Sequence, residues 1–136
     1  MNWTQGDIDR LTQPTPAERT VKARGKIRVP RGLNKTERAY SAHLDVEKRL
    51  GVIRWWRFEG MTLKLADDCR FTADFVVMFA DGTLELHDTK VIHRGKNGPH
   101  IEDDALVKLR TAAEQFDITV KAVWPTPNGE WGSKEF

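Results

Sequence analysis

Two aspartates and a lysine near the middle of the chain are residue types from which hydrolytic chemistry on a phosphate can be built. Asp74 lies in Thr72-Ala73-Asp74-Phe75, and His87-Asp88-Thr89-Lys90 follows after a turn at Ala80-Asp81-Gly82-Thr83. Asp74 interrupts an otherwise apolar run, where an ionised carboxylate is costly unless it is paired or bound to a metal. Asp88 and Lys90 are two residues apart, so on a strand they point to the same side. A hairpin register that brings Asp74 to that side makes the three groups converge. Two carboxylates opening onto water form a hard-oxygen site suited to magnesium or manganese. Such a site can polarise a phosphoryl oxygen and make a bound water more acidic. Lys90 can orient that water or stabilise charge that develops in the transition state. An ordinary Asp–Lys ion-pair cluster at a strand end accounts for the same spacing.

The elements around these residues follow from periodicity and turn chemistry. Asn34 is a good N-cap, and Glu37 three positions on completes a capping-box pattern. Ala39, Ala42, Val46 and Leu50 recur at helical spacing with Tyr40 and Leu44 beside them, and Gly51 supplies the stop. Alternation from Val52 to Leu65 predicts a strand, a bend at Gly60 and a second strand or a continuation, with a turn at Asp67-Asp68. Arg70 to Phe79 reads as one long strand. Phe71, Ala73, Phe75, Val77 and Phe79 take one face, and both faces are largely apolar, which predicts a central position. The Asp-Gly turn then returns the chain with Leu84, Leu86, Asp88 and Lys90 on one face and Glu85, His87, Thr89 and Val91 on the other. A polar loop from Ile92 to Ile101 precedes a second helix, capped by Asp103 or Asp104, with apolar positions from Ala105 to Phe116. Ile118, Val120, Ala122 and Trp124 alternate as a last strand. The order predicts an α/β layer with a mixed sheet.

Composition narrows the class. The chain has 136 residues, 39% hydrophobic and 31% charged, which is enough for one domain with a modest core. The expected organisation is a basic, flexible arm over residues 1–32, a folded domain over 33–125 and a C-terminal tail over 126–136. No apolar run approaches the ~18 residues that span a bilayer, so no membrane association is expected. The single cysteine, Cys69, and an N-terminus without a signal-peptide pattern make the cytoplasm the expected compartment. The net charge of +2 is unevenly spread. Arg19, Lys22, Arg24, Lys26, Arg28, Arg31 and Lys35 are interrupted by no acidic residue, whereas residues 36–136 carry 14 basic and 17 acidic side chains. A basic arm suits a polyanion such as nucleic acid, and it also suits a solvated tail. The histidines give no zinc spacing, since His87 points away from Asp88 and His93 and His100 fall in a loop. Trp55-Trp56 is expected to pack the sheet, while Trp3 and Trp131 are expected to be freer to touch nucleic acid or a partner.

Asp74, a hairpin and Asp88-Thr89-Lys90, set in this order of elements, resemble the PD-(D/E)XK nuclease superfamily. Asn34-Lys35-Thr36-Glu37 through Leu50-Gly51, the strand around Asp74, and Leu106-Val107-Lys108-Leu109 resemble small phage-encoded endonucleases and Holliday-junction resolvases. The likeness runs from Asn34 to Trp124. It implies a restriction-endonuclease-like core of helix, three-stranded meander, helix and strand. It further implies a Mg2+- or Mn2+-dependent endodeoxyribonuclease, selective for branched or junction DNA, acting as a homodimer in a cytoplasm (the host's, if phage-encoded) without an organic cofactor.

Asp74 and Asp88 would be metal ligands, Lys90 catalytic, and Glu37 a further carboxylate reaching the metal. Bottom-up, Glu37 shares a helical side with Tyr40 and Leu44 at i, i+3 and i+7, and the capping role explains it equally well. Glu59 is a weaker carboxylate candidate. Lys108 resembles the lysine that related nucleases direct at the active-site face. Lys108, Arg110 and the arm residues Lys22, Arg24, Lys26, Arg28, Arg31 and Lys35 are the expected DNA contacts. Two departures stand out: Ala73 occupies a position often held by proline, and Asp88 one where glutamate is commoner. The shorter side chain draws that ligand back, and it leaves open a second reading, a nuclease-fold DNA-binding or assembly module without chemistry.

Overall fold

The computed structural model describes Thr4, residues 32–93, Lys96 and residues 98–136. The chain divides into two units, Met1–Gly32 and Leu33–Phe136. The basic arm, with Lys22, Arg24, Lys26, Arg28 and Arg31, lies outside the described residues, as does Trp3.

The second unit is an α/β fold running α1 (Lys35–Arg49), β1 (Ile53–Phe58), β2 (Thr62–Ala66), β3 (Cys69–Thr72), β4 (Phe75–Phe79), β5 (Leu84–Thr89), α2 (Asp103–Phe116), β6 (Thr119–Pro125) and β7 (Trp131–Glu135). Five strands form a mixed sheet in the order β1-β4-β5-β6-β7, parallel only between β5 and β6, and β2 and β3 form a separate antiparallel pair. The parallel pair is the one joined by the long connection through α2, as a crossover requires. No helix among the described residues is long and apolar enough to cross a membrane.

Alternate residues of the central strands serve two cores. Val76, Leu86 and Val120 pack with Leu109 and Ala112 of α2, while Phe75, Val77 and Val123 pack with Tyr40 and Leu44 of α1. The two helices therefore cover opposite faces of the sheet, which explains why β4 is apolar on both sides.

Asn34 caps α1 with the reciprocal bonds of a capping box, each 2.8 Å long, and Gly51 follows the helix with φ +79°. The buried stripe is Glu37, Tyr40 and Leu44. Ala39 and Ala42 are exposed instead, as are Val46 and Leu50, because α1 meets the sheet through its aromatic side rather than its most regular apolar spacing.

Three expectations are corrected. The single strand from Arg70 to Phe79 is two strands, interrupted at Ala73-Asp74, and β3 belongs to the small sheet. The interruption redirects the side chains: Phe71 and Ala73 join the core under α2, whereas Phe75 and Val77 join the core under α1. Glu102, not Asp103 or Asp104, is the N-cap of α2 and makes no side-chain cap bond. The two aspartates occupy the first turn, where the helix dipole favours them.

The C-terminal segment is also not irregular throughout. Trp131–Glu135 is an edge strand antiparallel to β6, and Trp131 packs edge-on against Tyr40 at 4.7 Å between ring centroids. Trp131 is thus tied to α1 by packing. Gly132 lies so close to Trp124 that a Cβ there would meet the indole at 2.5 Å. Gly132→Ala should lower stability by roughly 1–3 kcal/mol through overpacking. An unchanged urea midpoint would show that β7 is not seated on Trp124.

Candidate functional site

The β4–β5 hairpin turns at Asp81-Gly82, where Gly82 has φ +91° and Asp81 Oδ1 accepts the Thr83 N–H at 2.8 Å. This turn sets the register Phe75↔His87, Val76↔Leu86, Val77↔Glu85 and Met78↔Leu84. Carried one residue further, the register places Asp74 across from Asp88. The interruption before β4 takes Asp74 out of the ladder and frees its backbone for other partners. Its N–H donates to Asp88 Oδ1 at 3.3 Å, and its carbonyl accepts the Glu59 N–H at 2.8 Å.

The side chains complete the group. Asp74 Oδ2 accepts both the Thr89 N–H at 2.8 Å and the Thr89 hydroxyl at 2.7 Å. Lys90 Nζ lies 2.9 Å from Asp88 Oδ2, and the Lys90 N–H is tied to the Val123 carbonyl at 2.8 Å. Asp74, Asp88 and Lys90 are therefore brought together, and Thr89 holds one carboxylate in place. Thr89 was not singled out in the sequence. Its only signal there is its place between Asp88 and Lys90, on the opposite face of a strand.

Glu37 is buried at 2% exposure. Its Oε2 accepts the Asn34 N–H, so the capping role is realised. Its charge also acts on Asp74. Glu59 is exposed and has φ +46°. Lys108 is half-buried, Arg110 and Lys35 are exposed, and none of the three side chains forms a hydrogen bond or ion pair within the described residues. Among the described residues, no group of three or more His, Cys, Asp or Glu side chains is gathered as a ready-made metal cluster.

Electrostatics mark Asp74. Burial pushes its carboxyl up to about 6, the charge of Asp88 pushes the same way, the Thr89 hydrogen bonds oppose them and Glu37 adds a smaller upward push. Two neighbouring carboxylates with too little positive charge between them are chemically suited to a hard divalent cation. Asp74 Oδ1 accepts from no donor among the described residues. Asp74 and Asp88 are the residues that fit such an ion.

On the other face of β5 lies a second polar group that sequence reasoning missed. Lys121 Nζ donates to Glu85 Oε1 at 2.9 Å, Glu85 Oε2 lies 2.9 Å from His87 Nε2, and His87 Nδ1 lies 2.6 Å from the Tyr40 hydroxyl. Burial would raise the Glu85 carboxyl, but hydrogen bonds from His87 and Lys121 outweigh it and hold the group below its usual range. Burial raises the Tyr40 phenol and keeps it protonated. Alternating polar residues on a strand could have signalled the group only if the position of α1 had been known. His93 and His100 lie 6.2 Å apart between ring centroids.

Comparison of the chain with protein-family models, with curated proteins and with solved structures yields no match.

The raised Asp74 carboxyl has a consequence for stability. With a folded pKa of about 6 against an ordinary 3.8, protonated Asp74 favours folding below about pH 4, and that contribution is lost as pH rises to 6. Asp74→Asn should therefore stabilise the metal-free protein at pH 7.5, by on the order of 2 kcal/mol, and leave it nearly unchanged at pH 4. Urea denaturation at the two pH values checks this. A variant less stable than wild type at pH 7.5 would contradict it.

Proposed function

We propose that the chain is a divalent-cation-dependent DNA endonuclease with a PD-(D/E)XK-type site on a restriction-endonuclease-like core. The observation that carries this reading is the register that faces Asp74 with Asp88 while Lys90 Nζ sits 2.9 Å from Asp88 Oδ2. Asp74 and Asp88 would hold Mg2+ or Mn2+, with Glu37 as the further carboxylate. When bound, the ion supplies Lewis-acid polarisation of a phosphoryl oxygen and a water that loses its proton near neutral pH.

The protein's own groups then have distinct tasks. Thr89 fixes the Asp74 carboxylate through two hydrogen bonds, so the ligand is oriented before substrate arrives. Lys90 keeps an ammonium beside the pair, where it can orient the attacking water or stabilise negative charge on the phosphate. Lys35, Lys108 and Arg110, with Lys22, Arg24, Lys26, Arg28 and Arg31 of the basic arm, supply contacts to the DNA backbone that release counterions on binding. Selectivity for branched or junction DNA, and a homodimer that presents two sites to a symmetric junction, are the finer parts of the proposal.

Plasmid, flap and four-way-junction DNA incubated with the protein and Mg2+ or Mn2+ should be cut. Asp74→Ala, Asp88→Asn and Lys90→Ala should each reduce the rate by roughly 100-fold or more. Equal cleavage by wild type and Asp74→Ala would overturn the site. DNA binding without cleavage, together with no calorimetric Mn2+ signal, would identify a binding module on the same fold.

A further inference from the structure

The chain Lys121–Glu85–His87–Tyr40, buried except at Lys121, lies outside the acidic site, yet it joins the two elements that carry it. Tyr40 is one helical turn beyond Glu37 on the buried stripe of α1, and His87 directly precedes Asp88 on β5. The 2.6 Å contact between Tyr40 Oη and His87 Nδ1 bridges that helix and that strand.

We infer that Tyr40 is a positioning residue for the site: its hydrogen bond to His87 sets α1 along β5, and with it where the Glu37 carboxylate stands relative to the Asp74–Asp88 pair. This rests on the metal-site reading above.

The relay has a defined polarity. Lys121 donates to Glu85, whose ionised carboxylate can only accept, so His87 carries a proton on Nε2, and in the neutral ring Nδ1 is the acceptor. The Tyr40 O–H then has one orientation available, towards His87. Both ends are buried, with Tyr40 at 4% and His87 at 5% exposure, so neither can exchange its partner for bulk water without displacing the helix. A turn of α-helix advances 5.4 Å, and a slip by a fraction of that would change the separation of Glu37 from Asp74. Shape alone does not impose this register as sharply, because much of the α1 contact is made by aromatic rings, which can slide. Tyr40 meets Phe75 at 5.3 Å and Trp131 at 4.7 Å between centroids.

The experiment is calorimetric titration of the full chain with Mn2+ alone, for wild type, Tyr40→Phe, Glu37→Gln and the double variant. Tyr40→Phe keeps the ring and removes only the hydroxyl. It should weaken Mn2+ binding about tenfold or more, the usual effect of removing a supporting hydrogen bond. In the double variant, Glu37→Gln should add little further loss, since both changes remove the same contribution. Ile53→Ala, which hollows the same core at a position whose strand partner is Phe79 and not a relay residue, should lower the thermal midpoint and leave Mn2+ affinity unchanged.

Should Tyr40→Phe fail to fold, Glu85→Gln tests the same relay by freeing the His87 tautomer, and it too should weaken Mn2+ binding. In wild type, long-range proton–nitrogen spectra should show His87 protonated at Nε2. Wild type that binds no Mn2+ sinks the metal site itself. Wild type that binds while Tyr40→Phe binds equally well, or His87 protonated at Nδ1, overturns this inference and leaves the metal site standing.

Discussion

Two carboxylates of like charge face each other across adjacent strands, and the surrounding structure is arranged to tolerate that. Asp74 and Asp88 would repel one another in any regular ladder. Here the chain leaves the ladder at Asp74, and the freed backbone N–H turns towards Asp88. Thr89 and Lys90 supply the remaining stabilisation, one carboxylate each. Burial, and then the charge of Asp88, still push the Asp74 carboxyl up against these contacts. A fold seeking stability alone would replace one aspartate with an apolar residue. Keeping both leaves a like-charge repulsion built into the fold.

Strand β5 is where the demands meet. One face carries Leu84 and Leu86 into the core beneath α2 and then ends in Asp88, while the other carries Glu85 and His87 towards α1. The polar side chains of Glu85, His87, Asp88 and Thr89 would be prohibitive inside a sheet if any were left unpartnered. None is: among the described residues, every buried side-chain nitrogen and oxygen has a hydrogen-bond partner. The central strand can therefore be polar at one end and apolar at the other without losing its place.

The outer elements serve this arrangement at a distance. β6 pairs with β5 in parallel, bringing Val123 to receive the Lys90 N–H and Lys121 to neutralise Glu85. β7 then covers the edge of β6 and presses Trp131 against Tyr40. The C-terminal strand thus braces the same helix whose first turn carries Glu37.

Much of this was legible in the amino-acid order because it depends on local chemistry. The capping box at Asn34 and Glu37, the Asp-Gly turn and the two-residue alternation of β5 each follow from spacing within a few residues. Together they put Asp88 and Lys90 on one side and His87 on the other. The facing of Asp74 by Asp88 was foreseeable only as a conditional, since register depends on where the hairpin closes. The break at Ala73-Asp74 was invisible, because Phe71, Ala73 and Phe75 alternate perfectly; it arises when β3 pairs with β2 rather than with the main sheet. The strand at Trp131–Glu135 was hidden for a related reason: an edge strand with Gly132, Lys134 and Glu135 has no apolar period to detect. The relay through Tyr40, His87, Glu85 and Lys121 joins residues as far as 81 positions apart. Spacing along the chain assigned each side chain its face, but only the packing of α1 and β6 around β5 decided which polar groups would meet.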